Sequence, residues 1–233
     1  MDAVLIIAVL SVATTVGAVA LTHWQRFATI NPVIAPGVAA GVMIWLALGQ
    51  VAPDSVAAIG RPMTYAAMAA GGALVALVSR FMQRSARAVA GVAPLIGVAL
   101  ALHDVPEGFA VATMVGGMGL VVALPMLGAV AAHNLAEKFA FVGTASNENL
   151  PRWSVLLIAT LPEPVGAGIA AIGAGVAPGA ADVAVALAGG MMLAVALGSL
   201  PSLAREARRM RSFTMAGAGG AMSMAMLGVV LPG

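Results

Sequence analysis

The chain has 233 residues, 61% of them hydrophobic and only 9% charged, against roughly 25% charged in an ordinary soluble domain. Eleven basic and nine acidic side chains cannot clothe such an apolar chain in polar surface, which excludes a soluble globular domain and makes lipid the matching solvent. The net charge of +2 comes from ten arginines and one lysine scattered among apolar blocks without aromatic interleaving, which excludes a nucleic-acid surface, and the absence of cysteine excludes disulfides and thiolate metal sites.

A membrane-spanning helix needs about 20 apolar residues. Cutting the chain at its Arg, Asp and polar clusters leaves eight blocks, at approximately 3–22, 30–52, 62–82, 90–116, 118–143, 153–175, 183–203 and 212–231. They are continuously apolar rather than alternating, so helices are expected and barrel strands are not. The expected fold is all-α, one polytopic membrane domain over residues 1–233. Ala18-Val19-Ala20 resembles a signal-cleavage site, but Asp2 stands where a positive segment belongs, so the first block is read as a retained span.

Arg26, then Arg80, Arg84 and Arg87, then Arg152, then Arg205, Arg208, Arg209 and Arg211 all follow odd-numbered blocks, and only Arg61 falls on the other side. By the positive-inside rule those loops are cytoplasmic and both termini lie outside, as in a multi-pass protein of a bacterial-type inner (plasma) membrane. Topology accounts for the last four arginines, with anionic lipid headgroups as a further partner.

The chain echoes itself twice. Residues 40–53, from Ala-Gly-Val-Met to Pro53, resemble residues 188–201, from Ala-Gly-Gly-Met to Pro201, at an offset of 148. Pairing blocks two and seven makes blocks 1–3 and 6–8 two three-helix repeats of opposite orientation, a recurring transporter device. His103-Asp104-Val105-Pro106-Glu107-Gly108-Phe109-Ala110 aligns with His133-Asn134-Leu135-Ala136-Glu137-Lys138-Phe139-Ala140 at an offset of 30. Blocks four and five therefore carry the same pattern twice.

Asp104, Glu107, Glu137, Lys138 and Glu163 all fall inside expected spans, where each charge costs about 2.5–3.5 kcal/mol at a helix centre. They must be paired, protonated, hydrated or bound to a cation. His103 and Glu107, four residues apart, share a helix face with Asp104 on its edge; His133, Asn134 and Glu137 repeat the arrangement. Two neighbours joined by a Gly116-Gly117-Met118-Gly119 turn can point these faces at each other. The result is two imidazoles and several carboxylates around one point, a ligand set suited to Zn²⁺ and tolerable to Fe²⁺ or Mn²⁺. Pro106 leaves the Leu102 carbonyl without its helical partner, so a bent, locally opened helix is expected there. A single intramembrane histidine is usually a packing residue, but two His-x-x-x-Glu copies together with Glu163 are not explained that way. Asp104 and Asn134 fit either ligation or hydrogen bonding behind the ligands, and Glu163, between Pro162 and Pro164, fits either a ligand or a helix-break acid.

These motifs resemble the ZIP (Zrt/Irt-like protein) family of divalent-metal transporters. His-Asp-Val-Pro-Glu-Gly at 103–108 is similar to the family's fourth-helix motif, His133-Asn134 with Glu137 to the fifth, and Glu163-Pro164-Val165-Gly166-Ala167 to the sixth. The likeness extends to eight spans and outside termini. It implies movement of zinc, with iron, manganese or cadmium as alternatives, toward the cytoplasm through a binuclear centre. One position would use His103, Glu107, His133 and Glu137, and the other Asp104, Asn134, Glu163 and the two shared glutamates. Ala136 and Lys138 replace the family's usual Pro and Gly; Gln50, Gly198 and Ser199 stand where many relatives are acidic; and loop 83–91 has no His. Lys138, four residues after Asn134, is expected to substitute by its charge for the second metal, taking the −4 sum of Asp104, Glu107, Glu137 and Glu163 to −3; the alternatives are neutralisation by burial and a stem that carries the ammonium to the membrane surface.

The metal is thus substrate, with no prosthetic group and no enzyme activity expected. The alternatives are an intramembrane zinc-dependent hydrolase, against which the chain has no His-Glu-x-x-His motif, and a non-transporting ZIP-like relative. Whether the protein is a homodimer is left open. Met222, Met224 and Met226 read as apolar filler rather than a Cu(I) site, Gly37-x-x-x-Gly41 as a helix contact, and His23 as a loop residue.

Overall fold

In the computed structural model, the described residues are 3–24, 33–85, 93–173, 179–206 and 208–230; Arg26 and Arg87 lie outside them. They form eight helical passes and no strand. We label them α1 (Ala3–His23), α2 (residues 34–59), α3 (Arg61–Ser85), α4 (Ala93–Met118), α5 (Leu120–Asn147), α6 (Arg152–Gly173), α7 (residues 180–206) and α8 (Met210–Val230). Five helices among the described residues are long and apolar enough to cross a membrane: Ala3–His23, Pro36–Ile59, Arg61–Phe81, Ile96–Gly117 and Arg152–Gly173.

Four boundaries differ from expectation. First, α2 runs on through Pro53 to Ile59, because a π turn at Leu46–Val51 precedes the proline and the Ala52 amide reaches back five residues to Ala47 O. A second π turn, Val195–Ser199, precedes Pro201 in α7, with Leu200 N–H on Val195 O. Second, the turn between α4 and α5 is Gly119 alone rather than four residues. Gly119 (φ +82°), like Gly60 (φ +78°) between α2 and α3, adopts a backbone shape that side chains disfavour. Third, α4 continues as α-helix through Pro106, so the proline removes one amide without interrupting the helix. Fourth, α6 is broken at Leu161 between Arg152–Thr160 and Pro162–Gly173.

Helices α1, α4, α5 and α6 pack mutually as a four-helix bundle, with α2 against α5, α7 against α4, α8 on α2 and α3 on α7. Small residues set the crossings. A methyl at Gly41 would strike the Gly217 carbonyl, and one at Gly190 the Met68 carbonyl; Gly220 lies on Val38 O, and Gly71 on Leu187 O. These paired contacts stand 149 residues apart, one more than the 148 read from the sequence. The π segment is six residues long in α2 and five in α7, so the offset is 149 before it and 148 after it, where Pro53 meets Pro201.

The bundle has an apolar layer at each end. Ile7, Val111, Val115, Leu127, Val130 and Ala170 fill one; Ala18, Leu100, Phe141, Val142, Val155 and Ala159 fill the other. Between them lies a layer of buried polar side chains.

Candidate metal centre

The crossing of α4 and α6 determines how close these groups come. A Cβ on Gly108 would collide with the Glu163 carbonyl, and one on Gly166 with the Val105 carbonyl. These two glycines allow the approach, and it brings Glu163 against the face of α4 that carries Asp104 and Glu107.

All eight residues singled out in the sequence meet in this layer. His103, Asp104, Glu107, His133, Asn134, Glu137, Lys138 and Glu163 are each at most 4% exposed. Each histidine pairs with the glutamate of the opposite helix: His133 Nε2 lies 3.0 Å from Glu107 Oε2, and His103 Nε2 contacts Glu137 Oε2. His103 Nε2 is also 3.0 Å from Asp104 Oδ1. His103, Asp104 and Glu137 bring ligand atoms within 4.8 Å of one another. Asp104, which the family resemblance assigned to the second position, thus sits with two residues assigned to the first.

Glu163 is engaged differently. Its Oε1 accepts from Asn134 Nδ2, and its Oε2 lies 2.5 Å from Lys138 Nζ. Lys138 Nζ also donates to Ser11 Oγ and Thr14 Oγ1, both at 3.0 Å. An ammonium has three N–H donors, and these three acceptors use them all.

Ser11 and Thr14 were not found by sequence reasoning. Pro164 lacks the amide that would bond Thr160 O in a regular helix, and Ser11 Oγ supplies the missing donor at 2.9 Å. Thr15 Oγ1 donates to Ala159 O at 2.9 Å. The Ser11 hydroxyl therefore donates to the α6 break while accepting from Lys138. The available signal was the polar set Ser11, Thr14 and Thr15 in an otherwise apolar first block; it is weak, because hydroxyls in helices usually bond back to their own carbonyls, as Thr14 does to Leu10 O at 3.0 Å.

In the other half of the cluster, Asp104 Oδ2, Glu107 Oε1 and Glu137 Oε1, together with Oδ1 of Asn134, which bridges the two halves, are buried without a hydrogen-bond partner. Each unmet buried polar atom costs about 1–3 kcal/mol. All four are acceptors, so a cation or donors would satisfy them. Carboxylate oxygens beside imidazole nitrogens form a donor set that accommodates Zn²⁺ and its first-row neighbours.

Of the minor signals, Gly37 and Gly41 lie against α8 at Phe213 and Gly217. Met222 and Met226 face outward, whereas Met224 is buried. His23 is exposed at the end of α1, its Nδ1 donating to Val19 O at 2.9 Å.

No family model matches the chain, and no curated protein matches it.

Proposed function

We propose that this protein carries divalent transition-metal cations, zinc foremost and otherwise iron, manganese or cadmium, across a membrane through the His/carboxylate layer of α4, α5 and α6. The observation that carries this reading is the set of four partnerless acceptor oxygens on Asp104, Glu107, Asn134 and Glu137, buried at mid-helix beside two imidazoles. A structural ion-pair network would meet its own valences; this one meets them only on the Lys138 side. Lys138 stands in for a second cation, so the site takes one metal per chain as its substrate.

The π turns and the glycine contacts recurring at offsets of 148 and 149 support two inverted three-helix units, α1–α3 and α6–α8, around α4 and α5. In the proposed orientation, for eight spans with both termini outside the cytoplasm, the arginine-rich ends face inward and cations move toward them. A Ser85→Cys variant is then labelled by an impermeant thiol reagent only when the cytoplasmic face is accessible.

The direct test is Zn²⁺ uptake by proteoliposomes holding the full chain. Wild type takes up the ion, and Glu107→Ala, folded and reconstituted equally, does not. Near-normal flux in that variant contradicts the site, and no flux in wild type contradicts transport itself.

A further inference from the structure

A cavity lies beyond the metal layer, toward the ends of α2 and α4 and the start of α7. It measures about 330 Å³ and is lined by Asp54, Ser55, Thr113, Met114 and Asp182, with Val51, Val185 and Gly117. Met114 is seven residues after Glu107, two turns along the same face of α4. At 1.5 Å per residue the cavity is about 10 Å from the metal layer.

No basic side chain is among the described residues lining it, and neither Asp54 nor Asp182 forms an ion pair within the described residues. Asp54 is exposed, Asp182 is half-buried, and Ser55 is only 3% exposed. Ser55 is among the residues lining this cavity, and its Oγ is buried without a hydrogen-bond partner. The two carboxylates come from different helices, α2 and α7, and converge with that hydroxyl on one space.

We infer that this cavity is a second, weaker divalent-cation site, in which Asp54 and Asp182 hold an ion that keeps most of its water while Ser55 and Thr113 hydrogen-bond to that shell. Size and chemistry both fit. A six-water shell needs on the order of 180 Å³ at about 30 Å³ per water, which the cavity accommodates. Oxygen donors without imidazole suit a hydrated, hard ion such as Mn²⁺, whereas the deeper layer adds nitrogen ligands. The expected sequence is capture with water at Asp54 and Asp182, then dehydration onto His103 and Glu137. The role of entry site rests on the transport reading; the binding itself does not.

The test is a titration of the purified full-length protein with Mn²⁺ alone, following loss of the free-ion electron paramagnetic resonance signal. His103→Ala/His133→Ala, which removes the imidazoles of the deeper layer, retains one weak Mn²⁺ site per chain. Adding Asp54→Asn and Asp182→Asn to it weakens that binding at least about tenfold, since ligand charge sets such affinities, and Ser55→Ala weakens it less. Unchanged Mn²⁺ binding after the two aspartate changes, or none in the double-histidine variant, overturns the inference. Zn²⁺ flux is read separately: its absence in wild type removes the transport reading while Mn²⁺ binding stands, and flux without this Mn²⁺ binding removes only the second site.

Discussion

The two halves of the buried polar layer are built from similar residues and reach opposite states. Around Glu163, both carboxylate oxygens are engaged, and Lys138 has an acceptor for each N–H. Around His103 and His133, in the same layer, carboxylate oxygens of Asp104, Glu107 and Glu137 have no partner. The pattern repeated in α4 and α5 differs at one decisive place, where Gly108 of α4 is answered by Lys138 of α5. The glycine lets α6 approach until its backbone touches α4; the lysine sends an ammonium into the matching space near α1. One half is thus closed by a covalently attached cation, and the other is left for a diffusible one. Without the lysine, two divalent ions would neutralise the four carboxylates; with it, a second ion would leave a net positive charge in a site with little water.

This difference can be broken from either side. The largest stability effect is expected on the closed half. Glu163→Gln removes the carboxylate paired directly with the buried Lys138 ammonium, which costs about 3–5 kcal/mol and lowers the thermal unfolding midpoint in detergent. Glu107→Gln acts less on the metal-free protein, because the amide oxygen can still accept a hydrogen bond from His133 Nε2. Metal-free stability should fall by about 1.5–3 kcal/mol, with the stabilisation by added Zn²⁺ lost. If added Zn²⁺ stabilises Glu107→Gln as much as it does the unmodified protein, the two halves are not distinct. Ser11→Ala gives the smallest effect, removing one acceptor from Lys138 and the donor to Thr160 O. A loss of about 1–2 kcal/mol is expected, again by thermal unfolding.

Much of this architecture was legible because lipid imposes long apolar runs, and every departure from them stands out. The eight blocks reappear as eight helical passes, and each intramembrane charge noticed in the sequence is found in one layer. Boundaries were less legible. Pro53 reads as a stop, but a π turn before it lets the helix continue, and periodicity alone does not announce a π turn. The same turn, one residue shorter in α7, splits the echo into two offsets of which only the proline-anchored one was seen. Within the layer, sequence spacing put each histidine on the face of its own glutamate, whereas the structure pairs each with the glutamate of the other helix. That exchange depends on how α4 and α5 are rotated against each other, which spacing within one helix does not contain. Ser11 and Thr14 were missed because their role is defined by a break in α6 about 150 residues away.

Metal stoichiometry tests the central claim most directly. Purified protein would be equilibrated with Zn²⁺ by dialysis, and bound metal counted by elemental analysis against protein concentration. After the weak outer binding has been removed by washing, the account predicts one tightly held ion per chain, none in His103→Ala/His133→Ala and two in Lys138→Gly. Two tightly held ions in the unmodified chain, or one that survives loss of both histidines, would contradict it.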